Sequence, residues 1–137
     1  MSLLLLDSSV WLAAAQAQGE PNRSAALAIL DRRKRHEVDV RLLDLTVYEL
    51  GNVMVRKWQR PAERAERLIA RVLQLAGAPP LALTVDEHRA ALELAEQHGL
   101  SVYDAAYAAV AQTRRLTLVS GDRQLLAARL AVAPGDA

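Results

Sequence analysis

The sequence predicts an α/β protein whose central, mainly parallel sheet is covered by helices on both faces. Three observations carry that expectation. Short apolar runs alternate with segments of helical period along the chain. Acidic residues stand where such runs meet helices, at Asp7, Glu49, Asp104 and Asp122. Finally, 137 residues without a repeat, low-complexity segment or linker suit one domain, 1–137, with a sizeable core.

Leu3–Leu6 is a short apolar run ending at Asp7, as a strand buried on both faces reads. Ser8–Gln18 follows as a helix. The opening residues superficially resemble a secretion signal, but they lack a basic leader and Asp7 interrupts them. Gly19-Glu20-Pro21-Asn22 is a turn, with Asn22 placed to cap a helix over Arg23–Arg35 through Ala26, Leu27 and Leu30. Val38–Leu45 alternates as a second strand. Thr46 opens a helix running to Trp58, with Val47, Leu50, Val53 and Met54 on one face. Pro61 starts the helix Ala62–Leu75, and Gly77-Ala78-Pro79-Pro80 stops it. Leu81–Leu83 reads as a short strand, and Val85–His98 as a helix closed by Gly99. A helix over Ser101–Arg115, a strand Leu116–Val119, a short helix Arg123–Ala128 and an edge strand Ala131–Ala133 complete the order.

Composition narrows the function classes. Hydrophobic residues make up 52% of the chain, yet aromatics only 4% and Phe is absent, which favours close helix packing over an aromatic platform for stacked bases. The lack of cysteine excludes disulfides and thiolate metal sites, and suits a cytoplasmic protein. No apolar stretch approaches the ~18 residues of a membrane span. A net charge of +1 means that any nucleic-acid partner must be drawn by local basic patches.

The junctions of an α/β sheet lie along one edge, outside the carboxyl ends of the strands, where open sheets place ligands. Acids spread across the sequence can therefore meet in one cleft. Carboxylates so gathered repel one another unless a cation sits among them, and a hard divalent ion such as Mg²⁺ takes oxygen ligands. That chemistry points to metal-dependent work on phosphates. Each acid also has a structural alternative. Asp7 and Asp122 precede helices as N-caps do, Thr46-x-x-Glu49 has the spacing of a capping box, and Ser101-x-x-Asp104 is an imperfect one. Capping explains some of the four but not the set. Ser9 and Ser120, beside the first and last acids, are placed to hydrogen-bond a ligand carboxylate or a metal-bound water. The Ala-rich run after Asp104 lets its helix lie close to the sheet, which draws Asp104 inward.

Other charged residues are assigned no chemistry. His36, His88 and His98 have no metal spacing, and Asp86 and Glu87 serve a helix dipole. Three basic groups, Arg32-Arg33-Lys34-Arg35, Arg56/Lys57/Arg60 and Arg114/Arg115, can contact phosphates if they face the active edge.

LLDSSVW at Asp7, LTVYELGNV at Glu49, HGLSVYDAAYAAVAQ at Asp104 and LVSGDRQL at Asp122 resemble, in order and spacing, the four acidic motifs of PIN-domain ribonucleases, most closely VapC-like toxins. The resemblance spans nearly the whole chain, and its most specific piece surrounds Asp104. It implies a PIN-like three-layer α/β/α sandwich, Mg²⁺ or Mn²⁺ in an acidic pocket, and endonucleolytic cleavage of RNA by a metal-activated water. Asp7 and Asp104 would ligate the principal metal, with Glu49 and Asp122 acting through water or a second ion. It further implies a small cognate antitoxin and a homodimer, as is frequent in the family, while the hydropathy pattern predicts no membrane partner. One departure is Gly121, where the family carries a larger residue, so the turn before Asp122 is expected to be looser.

Among rivals, a response-regulator receiver would need an acidic pair after the first strand and a late Lys. Here Ser8 follows Asp7, and no Lys occurs after Lys57. A Rossmann module would need a Gly-rich first turn. The alternative from another class is a catalytically silent PIN-like module that binds RNA or protein.

Overall fold

A computed structural model describes residues 1–16 and 19–137. Three strands form an all-parallel sheet in the order β2-β1-β3. The central strand β1 (Ser2–Leu6) pairs with β2 (Val38–Arg41) from Ser2↔Val38 to Leu5↔Arg41. On its other side it pairs with β3 (Thr117–Val119) from Leu4↔Thr117 to Leu6↔Val119. Helices α1 (Ser8–Ala15), α2 (Arg23–Lys34) and α4 (Ala62–Ala76) cover one face, and α5 (Val85–His98) and α6 (Val102–Arg114) the other.

The two-residue period of a strand sends neighbours to opposite faces, and β1 shows it directly. Leu4 and Leu6, with Val38, Val40 and Val119 of the flanking strands, pack on Trp11, Ile29, Leu30 and Val72. Leu5 and Leu118 pack on the other side with Ala91, Ala105, Ala108 and Ala109. Every residue from Ala105 to Ala111 is buried, so α6 lies close beneath the sheet, as its small side chains permit.

Several element boundaries differ from expectation. Helix α1 ends at Ala15, and the last expected positions, Ala17 and Gln18, lie outside the described residues. Strand β2 stops at Arg41, because Leu42 and Leu43 already turn the chain into α3 (Asp44–Asn52). That helix starts two residues before Thr46, continues as a π-helical stretch over Val53–Lys57, and ends at Trp58. The expected strands at Leu81–Leu83 and Ala131–Ala133 reduce to single parallel bridges, Leu43↔Leu81 and Val119↔Val132. Asn22 precedes α2, but its side chain makes no cap; its backbone N–H donates to Glu20 Oε1 instead.

Glu87 does more than face a dipole. It completes a capping box with Thr84, and although the residue is buried it accepts from both Nε and Nη2 of Arg114 and from the Thr113 hydroxyl. The Arg114 hydrogen bonds hold its carboxyl down at about 2. This clasp ties the start of α5 to the end of α6, at the far end of α6 from Asp104. Arg114 is thereby committed to the fold and withdrawn from the set of free phosphate contacts.

Candidate functional site

Parallel strands deliver their carboxyl ends to one edge, and the first and last acids follow β1 and β3 there. Asp7 caps α1 by accepting from the Val10 N–H, and its own N–H donates to the Val119 carbonyl. The residue is 4% exposed. Burial pushes its carboxyl up to about 6, partly offset by hydrogen bonds from Ser120, Ser9 and the Val10 amide, while the charge of Asp104 raises it further.

Ser120 and Gly121 lead from β3 to Asp122, which caps the short helix α7 (Arg123–Ala127) by accepting from the Leu125 N–H at 2.9 Å. The Ser120 oxygen also accepts from the Asp122 N–H. Ser9 donates to Asp7 Oδ1 and accepts from the Gly121 N–H, so one hydroxyl ties the first acid to the turn before the last. That turn is held, contrary to the loosening expected from glycine. A Cβ at Gly121 would meet the Asn22 side-chain nitrogen Nδ2 at 2.9 Å, so a larger residue there would push aside the end of the Asn22 side chain.

Asp104 sits in the first turn of α6. Its N–H bonds the Ser101 hydroxyl, which caps the helix, but the Asp104 carboxylate completes no capping box. Burial raises its pKa, and the charge of Asp122 adds to that. Asp7 and Glu49 both feel Asp104 in turn. Asp104 is thus the acid that the other three share as a neighbour.

Glu49 projects from the second turn of α3, and the capping role that its spacing suggested is absent. Leu43 holds the N-cap position, while Thr46 is fully buried inside the helix. Tyr107, three residues beyond Asp104 on α6, donates its hydroxyl to Glu49 Oε1 at 2.5 Å. Thr46 Oγ1 lies 2.7 Å from the same tyrosine oxygen. A phenol has one proton, and Tyr107 gives it to the carboxylate, so Thr46 must donate to Tyr107. Ser8 adds a hydrogen bond to Glu49. Burial still raises the Glu49 carboxyl, with these bonds and the Asp104 charge as smaller influences. The sequence reading missed Tyr107, Thr46 and Ser8 as partners. Its available signal was helical spacing, Thr46 one turn before Glu49 and Tyr107 one turn after Asp104.

The four acids therefore share one edge, and among the described residues none of them is in an ion pair. No three acidic or imidazole side chains among those residues surround one point closely enough to hold an ion directly. Mutually repelling carboxylates are expected to stand apart without a cation, and Mg²⁺ keeps several waters in any case. The edge offers oxygen donors only.

This arrangement sets a sign for pH. Asp7 binds its proton more tightly in the folded chain, so its contribution to stability is full below about 3.8 and is lost as pH rises through about 6. Cation binding needs the ionised form and should strengthen over the same window. Titrating Mg²⁺ by calorimetry between pH 5 and pH 8, beside metal-free melts, should show affinity rising while metal-free stability contributed by this group falls. Parallel trends would contradict the assignment.

A PIN domain family model matches residues 4–131. The exonuclease VapC9 of Pyrobaculum aerophilum is 34% identical over 110 residues, covering 75% of this chain and 77% of the relative. The ribonuclease VapC3 of the same organism is 30% identical over 125 residues, covering 89% and 91%. A Pyrobaculum aerophilum crystal structure aligns with a TM-score of 0.71 at 31% identity, over 98% of this chain and 85% of the other. The FitAB complex bound to a DNA fragment aligns with a TM-score of 0.71 at 24% identity, over 96% and 95%, and at that identity shows the fold alone.

Proposed function

Because the chain belongs to the PIN-domain family, we propose that it is a divalent-metal-dependent endoribonuclease and the toxin of a toxin–antitoxin pair. The observation that carries this reading is the meeting of Asp7, Glu49, Asp104 and Asp122 at one sheet edge, with Asp104 coupled electrostatically to the other three. The nuclease names of the VapC relatives support the same reaction class.

The donor set fits a hard cation, since it is all oxygen and includes a carboxylate that burial leaves short of solvation. Asp7 and Asp104 would hold the ion, with Glu49 and Asp122 reaching it through water or holding a second one. When bound, Mg²⁺ or Mn²⁺ supplies an acidified water for attack and neutralises charge on the phosphodiester. The chain's own part is orientation. Ser9 and Ser120 fix the Asp7 carboxylate, the Leu125 N–H fixes Asp122, and the Tyr107 hydroxyl fixes one oxygen of Glu49. A buried Asp7 and acids that raise one another's pKa also make the fully ionised, cation-free edge costly, so a bound cation would offset that cost.

The toxin role carries an antitoxin partner, which would cover the acidic edge and offer it an Arg or Lys. The proposed homodimer finds support in Tyr48, Val102 and Tyr103, exposed around an apolar cleft beside α3 and α6. Among the described residues no helix is long and apolar enough to cross a membrane.

Purified protein should cut single-stranded or looped RNA with Mg²⁺ or Mn²⁺, and EDTA should stop it. Circular RNA separates internal cleavage from the end-directed activity that the name of one relative carries. A circle that opens supports the endonuclease; a circle that survives beside a degraded linear strand assigns an exonuclease. Undiminished cutting in excess EDTA would refute the metal mechanism, and no cutting under any metal would leave a silent binding module. Expression without a partner should arrest growth, and harmless expression of an active chain would remove the toxin role alone.

A further inference from the structure

We infer that a row of arginines on α4 forms a second element of the RNA site, gripping the phosphates of a strand that leads away from the acidic edge. The inference rests on the nuclease reading above and deepens it. Arg64, Arg67 and Arg71 recur at intervals of three and four residues, so they share one face of α4, and all three are exposed. Together with Arg60 and the end of α1 at Ala15 they line a single cleft. Among the described residues none of the four is in an ion pair, unlike Arg35 and Arg114. Four cations lining one cleft, none within ion-pair distance of a carboxylate, concentrate positive charge on a chain whose net charge is only +1.

The row connects with the acids. A neighbouring cleft begins at Ser9 and Gly121, beside Asp7 and Asp122, and continues along α1 past Leu12 and Gln16 to Lys57 and Trp58. Glu20 stands on its wall, the one carboxylate there. Arg60 lies over the Trp58 ring, 5.2 Å from its centre, and so links the end of this cleft to the arginine row. From Ser9 to Ala15 the helix covers about 9 Å, and from Arg64 to Arg71 about 10 Å. The path therefore runs from where a scissile phosphate would sit, over Lys57 and Arg60, and onto α4. Phosphate contacts of this kind position a strand without reading its sequence.

Two other basic groups do not share the placement. Arg35 ends α2 just before β2 begins, and Arg115 ends α6, so both stand at the edge opposite the acids. With Arg89, exposed on α5, they supply an internal control of equal charge. In EDTA, with a single-stranded RNA of about twelve nucleotides as the probe, Arg64→Gln/Arg67→Gln/Arg71→Gln should weaken binding about tenfold or more. Its salt dependence should lose about 0.7 per phosphate contact, so about two in the logarithmic slope. Arg35→Gln/Arg89→Gln/Arg115→Gln removes the same charge from exposed positions elsewhere and should change affinity less than about threefold. Thermal melts of both variants check folding. Equal weakening by the two triples would reduce the effect to net charge and overturn the site. Unchanged RNA binding by the α4 triple together with loss of a co-expressed partner protein would make the row a protein-docking surface, which also overturns it. The cleavage assay in metal tests the nuclease reading separately, so a chain that binds RNA through α4 yet never cuts would refute that reading and keep this one.

Discussion

Asp104→Asn is expected to abolish RNA cleavage in Mg²⁺ while leaving the metal-free fold as stable as wild type or slightly more so. The opposite signs come from one cause. Asp104 is the acid whose charge raises both Asp7 and Glu49, and its own carboxyl is raised by burial and by Asp122. Removing that charge relaxes three repulsions at once, while Asn keeps the shape. The helix start should not suffer, because Ser101 makes the cap and the Asp104 carboxylate contributes no bond to it. Wild type should gain stability with rising Mg²⁺ by mass action, and the variant much less. Denaturant melts with and without Mg²⁺, beside a cleavage assay, test both halves. A residue that merely capped would cost up to about 1 kcal/mol on substitution and leave cutting intact. Near wild-type cleavage by the variant would remove Asp104 from the site.

Much of the architecture was legible because strand and helix periods are strong along this chain. The run Leu3–Leu6 reads as a buried strand, which holds from Leu4 to Leu6 while Leu3 is 40% exposed, and Gly77 and Gly99 stop their helices with positive φ as expected. What the pattern could not fix was strand length. Leu81 and Val132 each make one bridge, since pairing depends on where the partner chain turns rather than on local composition. The four acids were readable as a set from their junctions, and Asp7 and Asp122 do cap helices, a role compatible with the one proposed for them. Glu49 was half misread. Its Thr46 spacing suggested a local cap, whereas the actual partner of both residues is Tyr107, some sixty positions away. A hydrogen bond at that separation leaves no periodic trace.

The same limit applied to cations. Runs such as Arg32–Arg35 and Arg114–Arg115 draw attention in a sequence, but they stand at the wrong edge or are consumed by Glu87. Arg64, Arg67 and Arg71 are dispersed among Glu63 and Glu66, so the segment reads as only weakly basic. Only the winding of α4 sorts them onto one face. Charge patterning on a helix has to be counted by face.

Tyr107→Phe is expected to lower cleavage about 10–100-fold, the usual loss when the group orienting a ligand is removed. The ring is 1% exposed and packs in the core beneath the sheet, and Phe preserves that packing. Two polar atoms lose their partner, however. Glu49 Oε1 loses its donor, and the Thr46 hydroxyl, fully buried, loses its acceptor. The second loss should cost about 1–3 kcal/mol in stability, since an orphaned buried donor forfeits its solvation. Those two consequences can be separated. Adding Thr46→Val to Tyr107→Phe replaces both partners with apolar groups of similar shape, which can be nearly neutral. The double variant should therefore recover most of the stability and none of the activity, because Glu49 still lacks the Tyr107 hydroxyl. In a Glu49→Gln background, Tyr107→Phe should cause little further loss of cleavage, as expected for residues acting through one another. If Tyr107 served the core alone, cleavage would follow stability through the whole series, and the stabilised double variant would cut RNA like wild type.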